Sequence, residues 1–194
     1  MDTINQFLSE FDPLSTNSRN EFKQIFSLKT YKKGSVIAGY NQTKGKFFLI
    51  KEGITCSYLN DEKGKKVIRT LFLPMSVMAS LKSIINQPNV NNVNVNFHCL
   101  TDCKILIADL DDFLNLVDKH HDISKLYIQI LEKSYSELIR RITHLTTLEA
   151  TERYLHLKKI APSIENQIPQ YQIASYLNIS PIQLRRIRKK LSGK

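Results

Sequence analysis

The feature that most constrains the fold is a long segment, residues 122–148, which contains no glycine or proline and has apolar residues at helical spacing. At about 1.5 Å per residue, a helix of this length spans roughly 40 Å. A second apolar face near its start includes Ile123 and Leu126. The main apolar seam alternates spacings of three and four and consists of Ile128, Leu131, Tyr135, Leu138, Ile142 and Leu145.

A helix with two apolar faces has to bury both of them. One face can pack on the helix's own domain, but the strand-rich region before it is too small to cover the other face along 40 Å, the rough length given above. We therefore expect a homodimer in which two copies of this helix pair through the seam. The alternative is a helix sandwiched within one monomer.

Residues 28–110 are dominated instead by short β-branched and aromatic runs such as "KFFLIKEG", "VIRTLFL" and "KILIADL". Turn-forming residues separate these runs, and "NDEKGKK" is typical of a hairpin tip. Many short strands at regular intervals indicate a compact antiparallel barrel or sandwich. Residues 1–27 have the pattern of short helices, so the predicted class is α+β. The asparagine-rich "INQPNVNNVNVNF" is interpreted as a surface loop, with a specialised contact as the alternative.

Positive charge is concentrated in the last quarter of the chain. The formal net charge is +10, and residues 149–194 contain nine Lys and Arg against three Asp and Glu. Such a balance indicates a polyanionic partner, either nucleic acid or an acidic membrane surface.

Other patterns exclude several classes of protein. The start, "MDTINQFLSEF", lacks the basic and apolar regions of a secretory signal, and no apolar run approaches the length of a membrane span. Three sparse cysteines, Cys56, Cys99 and Cys103, suit a reducing cytoplasm and do not have a usual zinc spacing. There is no glycine-rich phosphate loop, HExxH motif, nucleophile elbow or credible triad, so we expect neither an enzyme nor a metal site.

The segment "IPQYQIASYLNISPIQLRRIRKKL" has the register of a helix-turn-helix. The motif needs a small residue where its helices pack closest, a turn residue that tolerates positive φ, and apolar residues for a shared core. Ala174 is the small residue, and Asn178 stands at the turn, where asparagine adopts the left-handed conformation at low cost. The predicted core consists of Ile173, Ala174, Leu177, Asn178, Ile179, Leu184 and Ile187.

The second helix of this motif has its own start signal and a basic face. In "SPIQ", Ser180 can cap the helix, Gln183 can bond back to it, and Pro181 suits the first helical position. No acidic residue follows Ser180. The alternative is a basic face that contacts only solvent. Each cation near a helix C-terminus stabilises the helix by about 0.3–1 kcal/mol, so some of these cations would occur without a phosphate partner. Uncompensated repulsion among these cations nevertheless favours phosphates as partners.

Taken in order, a β-region, a long helix and a helix-turn-helix resemble the Crp/Fnr family of bacterial transcription regulators. "FFLIKEG" and "ATERYLHL" resemble a mid-roll strand-turn and the opening helix of the DNA-binding domain, and the tail is similar to that of Bacteroidetes-type members. The resemblance implies a jelly-roll-like β-roll sensor of the cyclic-nucleotide-binding type (residues 1–118), a dimerisation helix (119–148) and a helical, winged helix-turn-helix domain (149–194). It also implies a homodimer on a two-fold operator, with RNA polymerase and an unknown small-molecule effector as further partners.

This sequence lacks the residues that hold cyclic AMP in members of this family that bind it. There is no Gly-Glu pair in the expected region, and no arginine lies between Arg69 and Arg140. A buried cyclic phosphate without a guanidinium would lose its main charge-assisted hydrogen bonds, although Lys82 could offer one charge. We predict that cyclic AMP is not a ligand. The family's iron–sulfur cysteine cluster is absent too, and haem ligation by His98, His120 or His121 is unsupported, so no cofactor is predicted.

Well-studied members begin the reading helix with Arg-Glu and place a second Arg four residues later; only the last is matched here, by Arg186. Arg186 is the candidate for a bidentate contact to guanine, worth about 1–3 kcal/mol of discrimination. Gln183 could read adenine or contact a phosphate, and Ile182 could touch a thymine methyl. The candidates for phosphate contacts are Gln170, Tyr171, Ser180, Arg185, Arg188 and Lys189.

The predicted function is a cytoplasmic, dimeric, sequence-specific DNA-binding transcription regulator without enzyme activity. The alternative is a ligand-sensing or protein-interaction module whose basic tail binds RNA or an anionic membrane.

Overall fold

The computed structural model describes residues 2–38, 45–60, 64–79 and 96–193. The predicted α+β class is confirmed, with helices at both ends of a β-region. The tip of "NDEKGKK", Lys82 and most of the asparagine-rich segment lie outside the described residues. Within the described residues, no helix is long and apolar enough to cross a bilayer.

Two short helices open the chain, as the sequence predicts. Helix α1 (Thr3–Leu8) is capped by the carboxylate of Asp2, and α2 (Thr16–Gln24) is capped by the hydroxyl of Ser15, which accepts from the Ser18 N–H. Apolar residues of both helices, including the fully buried Phe22, pack on the rest of the N-terminal region.

The described strands form two antiparallel sheets of four strands each, in the orders β1-β8-β3-β6 and β2-β7-β4-β5. The strands are β1 (Ser27–Tyr31), β2 (Val36–Ala38), β3 (Lys46–Glu52), β4 (Thr55–Asn60), β5 (Lys66–Phe72), β6 (Val77–Ala79), β7 (Asn96–Cys99) and β8 (Cys103–Asp109). A buried apolar cluster that includes Phe48, Ile105 and Phe97 joins residues of both sheets.

The turn between β3 and β4 explains why glycine stands at position 53. Gly53 has φ +91°, and a Cβ there would collide with the Asp102 carbonyl and lie 2.6 Å from Cys103 Sγ. The three cysteines are buried, and none of them forms a disulfide within the described residues.

The long helix is present with nearly the predicted bounds. Helix α3 (Leu110–Lys119) ends at an extended His120, and α4 (His121–Thr147) follows at once. The first part of α4 buries Ile123, Leu126 and Ile130 in the cluster that also contains Phe113. From residue 131 to residue 140 every side chain is exposed.

Four helices complete the described chain: α5 (Ala150–Ile160), α6 (Ile164–Gln167), α7 (Gln170–Leu177) and α8 (Pro181–Leu191). No strand occurs in residues 110–193, so the expected wing is corrected to an all-helical arrangement in this part of the chain. The residues around the prolines at 162, 169 and 181 form helix starts and connections, with no alternating apolar run that could pair as a hairpin.

Candidate nucleic-acid interface

Helices α7 and α8 meet through the turn that the sequence predicts. Asn178 adopts the left-handed conformation, with φ 54° and ψ 49°. The Asn178 N–H donates to Ser175 O at 3.1 Å, and the Ile179 N–H donates to Ala174 O at 3.0 Å, so the last turn of α7 is closed by backbone hydrogen bonds.

The predicted core of the motif is largely buried. Ala174 is fully inaccessible, which agrees with a small residue at the closest approach of the two helices. Ile179 is partly buried against the same cluster, and Asn178 itself is exposed at the turn. The remaining core residues are all buried: Ile173, Leu177, Leu184 and Ile187.

Helix α8 starts as the sequence indicates, with Ser180 at the N-cap and Pro181 in the first turn. The Ser180 hydroxyl accepts from the Gln183 N–H at 3.1 Å. The predicted return bond from the Gln183 side chain is not among the hydrogen bonds of residues 180–183, and this side chain is exposed. The Gln183 side chain is therefore exposed and not bonded to the N-cap residue.

A strip of exposed side chains runs along α8, and we call it the α8 face. The apolar member nearest the start, Ile182, is 66% exposed. Within the described residues, none of its cations forms an ion pair. The α8 face consists of Ile182, Gln183, Arg185, Arg186, Lys189 and Lys190.

Arg188, which the sequence predicts as a phosphate contact, does not belong to the α8 face. Its Nε lies 2.6 Å from Glu165 Oε1, and both side chains are largely shielded. Glu165 also accepts from the Tyr154 hydroxyl at 2.7 Å and from Lys158 Nζ at 2.8 Å. Arg188 therefore has an anionic partner inside the protein and ties α8 to α6.

The two predicted phosphate contacts on α7 are exposed, and one of them, Tyr171, lies near the β-region. Gln170 and Tyr171 begin the helix, and Tyr171 is 62% exposed. Tyr171 borders a cavity of about 110 Å³ between α7 and the sheet that contains β4 and β5. The Ile68 N–H of β5 donates to Ser175 Oγ of α7 at 3.0 Å, which anchors the helix-turn-helix on this strand.

Sequence reasoning missed three residues that hold the motif in place: Ser175, Arg141 and Arg153. The guanidinium groups of Arg141 and Arg153 donate to carbonyls at the C-terminal end of α7. Their type and spacing carry no signal of this role, because their partners lie elsewhere in the chain.

The predicted dimer seam forms an apolar stripe on the surface of α4. Its exposed members are Ile128, Leu131, Tyr135, Leu138 and Ile142, and Ile139 lies exposed beside them. Tyr135, near the middle, is 65% exposed. Leu145, at the end, is half-buried. Contiguous apolar surface of this kind marks interaction sites more often than free surface.

The histidines considered for haem are engaged in hydrogen bonds or exposed. His98 Nε2 lies 2.8 Å from Gly34 O, and His120 Nε2 lies 3.0 Å from Glu21 Oε2. His121 is exposed at the start of α4. The part of the chain that the structure describes holds no cluster of three metal-ligating side chains.

Comparison with known proteins identifies the β-region and the fold. Residues 28–120 match the model of the cyclic nucleotide-binding domain family, and no curated protein sequence matches the chain. A structure assigned to the Crp/Fnr family of transcriptional regulators, from Eubacterium rectale, is 16% identical, with TM-score 0.68 over 93% of this chain and 85% of that one.

Two further structures show the same likeness. FixK2 from Bradyrhizobium japonicum is 14% identical, with TM-score 0.71 over 87% of this chain and 85% of its own. CLP from Xanthomonas campestris, described as a c-di-GMP responsive global regulator, is 14% identical, with TM-score 0.66 over 92% of each chain. The likeness stated from the sequence is thus confirmed: residues 28–120 match the cyclic nucleotide-binding domain family, within a chain that has the fold of the Crp/Fnr regulators.

Proposed function

We propose that this protein is a dimeric, sequence-specific DNA-binding transcription regulator that acts in the cytoplasm and catalyses no reaction. The α8 face is the observation that carries the proposal. It combines exposed cations with no ion-pair partner among the described residues, an exposed amide and an exposed apolar side chain, on a helix whose opposite side is locked into its own core. The structural neighbours described as transcription regulators support the same class.

Within the α8 face, Arg186 is the proposed reader of guanine, with Gln183 and Ile182 beside it. Arg185 and Lys189 flank the readers and suit phosphate contacts, and Gln170, Tyr171 and Ser180 add polar groups at the starts of the two helices. Arg188 is left out of the phosphate set because Glu165 already neutralises it.

The apolar stripe supports a homodimer through α4. Two copies of α8 then face one side of the duplex, and their separation must match successive major grooves, about 34 Å apart. A two-fold operator follows from a two-fold dimer. RNA polymerase and a small-molecule effector remain predicted partners.

Cyclic AMP is not proposed as the effector, although residues 28–120 match its domain family. The donor set does not fit, because no guanidinium is available between Arg69 and Arg140 to pair with a cyclic phosphate. In a calorimetric titration with cyclic AMP, we expect no heat of binding. Saturable binding would contradict this part of the proposal.

The main experiment is a selection of binding sites from a random duplex library with the full-length protein. We expect a palindromic consensus, referred to below as the selected operator. Arg186→Ala should relax selection at one base pair per half-site and cost about 1–3 kcal/mol of discrimination. Lys189→Ala should weaken binding to all duplexes alike and reduce the salt slope by about one.

Lys29→Ala is a matched control, since it removes the same charge from β1, far along the chain from α8. It should change neither specificity nor the salt slope. If the selected duplexes shared no consensus sequence, or if Arg186→Ala selected the same consensus as wild type, the assignment of α8 as the reader would be contradicted.

The second candidate function is binding of the basic tail to RNA or to anionic membrane. A membrane-surface helix needs large apolar residues opposite its charges, but Leu184 and Ile187 are buried in the helix-turn-helix core. Titrations against duplex DNA, an RNA hairpin and anionic vesicles separate these candidates. We expect the selected duplex to bind most tightly.

A further inference from the structure

The C-terminal end of α7 is held by two arginines from other helices. The last carbonyls of a helix have no partner within it and need one outside. Arg141 Nη2 donates to Tyr176 O, and Arg153 Nε donates to Leu177 O at 3.1 Å. Consecutive carbonyls at the end of the first helix of the motif are thus bound by separate guanidinium groups.

These arginines connect α7 to α4 and α5. Arg141 belongs to α4, and its guanidinium carbon lies 4.0 Å from the centre of the Tyr176 ring, so it also stacks on α7. Arg153 belongs to α5, and its Nη1 donates to the carbonyl of Leu148, the C-cap residue of α4, at 2.7 Å. The ends of α4 and α7 are therefore bound to the same guanidinium.

Helix carbonyls supply the negative partner for these cations. Both guanidinium groups lie at the C-terminal ends of helices, where the helix dipole favours positive charge. The described residues that line the small cavity at this joint are basic, aromatic or apolar, and none is acidic: Arg141, His144, Arg153, His156, Leu157, Tyr176 and Leu177. The joint thus depends on the carbonyls of α4 and α7 and not on carboxylates.

Fixing the end of α7 also fixes the start of α8. The turn at Asn178 is closed by backbone hydrogen bonds, and α7 and α8 share one buried core, so the orientation of α7 determines that of α8. Arg141 directly precedes Ile142 of the apolar stripe. A contact at Arg141 therefore links the stripe to the helix that carries the α8 face.

We propose that Arg141 and Arg153 are positioning residues that set the orientation of α8 relative to α4, and with it the half-site spacing that the dimer accepts. This inference rests on the proposed function for its consequence at the operator. Its geometric part, the fixed angle between α4 and α8, stands apart from DNA binding.

The geometric part is tested by distance measurements between spin labels on the full-length protein without DNA. Cysteines replacing the exposed Ser136 of α4 and Lys190 of α8 carry the labels, and an excess of unlabelled protein isolates distances within one protomer. We expect a narrow distribution that Arg141→Met broadens or shifts. Arg140→Met is the matched control, because Arg140 is the exposed neighbour on α4. An unchanged distribution in Arg141→Met would overturn the inference.

The consequence is tested on the selected operator and on versions with one base pair added or removed between the half-sites. For wild type and Arg140→Met we expect each change of spacing to weaken binding by about tenfold. For Arg141→Met we expect the operator affinity to fall by about five- to tenfold and the spacing penalty to shrink below about threefold. The reason is that α8 is no longer held at one angle to α4 before binding, so DNA has to order it and a different spacing costs less. Affinity for non-operator duplex should stay within about twofold, since phosphate contacts dominate it.

Two further variants guard against a merely structural effect. Arg141→Lys keeps the charge but loses the forked donor geometry, so it should behave like Arg141→Met in the spacing series. Arg153→Met should show the same loss of spacing preference. If Arg141→Met kept the full spacing penalty, the inference would be wrong even with the proposed function intact. If wild type selected no duplex, the proposed function would fail, and the spin-label distances would still decide whether Arg141 sets the angle.

Discussion

The two halves of α4 have the same apolar spacing and opposite surroundings. In the first half, Ile123, Leu126 and Ile130 are at most 5% exposed and pack on α3 and the N-terminal helices. In the second half, Leu138 and Ile142 are about half exposed. The apolar side of α4 is thus core near its start and exposed surface farther along, because the buried cluster of the N-terminal region covers Ile123, Leu126 and Ile130 but does not reach Leu138 or Ile142.

The two ends of α4 also differ in their electrostatics. At the start, Glu21 of α2 pairs with Lys119 and His120, and Asp122 accepts from the Ser15 N–H and the Ser18 hydroxyl. At the far end, guanidinium groups bind helix carbonyls and no carboxylate takes part among the lining residues described. The contacts at the start attach α4 to α2 of the N-terminal region. The contacts at the far end attach α7 to α4.

The largest effect is expected from truncation in the buried half. Leu126→Ala removes a side chain that is 1% exposed, so we expect the free energy of unfolding to fall by about 2–5 kcal/mol. The measurement is urea denaturation at two protein concentrations. Leu138→Ala is the matched control, and its effect should depend on protein concentration because it acts through dimerisation. If both variants lost the same free energy of unfolding at both protein concentrations, the two halves of α4 would not differ in the way proposed.

A charge in the exposed half should separate the protomers. Leu138→Asp places like charges across the proposed seam, which costs several kcal/mol, so we expect the dimer dissociation constant to rise by about 100-fold. Sedimentation velocity over a dilution series measures it. Ser136→Asp introduces the same charge at an exposed position off the stripe and should leave the dimer intact. A dimer that persists in Leu138→Asp would place the interface elsewhere.

Acid should weaken the start of α4. Hydrogen bonds from Lys119 and then His120 lower the pKa of Glu21 from 4.5 to about 2. A lowered carboxyl pKa in the folded state stabilises the protein above the unfolded value, and this contribution is lost as the pH falls from 4.5 toward 2. Glu21→Gln should therefore lower the melting temperature at neutral pH and flatten its decline in acid. An unchanged pH profile would contradict the role of this cluster.

The smallest effect is expected at the far end of α4, in a different pH window. Burial lowers the pKa of His156 below 6.5, and His144 and Arg140 of α4 and Lys159 of α5 add to the shift. Arg141 and Arg153 line the same joint. Stability from the neutral imidazole is therefore present above pH 6.5 and lost as the pH falls below it. His156→Gln should flatten the melting temperature between about pH 7 and pH 5; a slope equal to that of wild type would contradict this assignment.

Short-range patterns explain why much of the fold could be predicted. The turn at Asn178, the cap at Ser180 and the bounds of α4 each depend on residues a few positions apart, and the structure confirms them. The prediction of a wing was wrong. It came from the family likeness, and the structure has no strand in residues 110–193. The base-reading residues stay predictions, since their exposure agrees with that role without testing it.

The sequence by itself determined the periods, the caps and the register of the helix-turn-helix, because these follow from neighbours along the chain. Only the tertiary structure decided which cations are neutralised, which half of α4 is covered and what holds α7. Arg188 and Arg186 are alike in sequence, yet Glu165 pairs with one and leaves the other exposed. The bonds from Arg141 to Tyr176 and from Ile68 to Ser175 join residues 35 and 107 positions apart. No local pattern encodes such partners, because long-range packing alone brings them together.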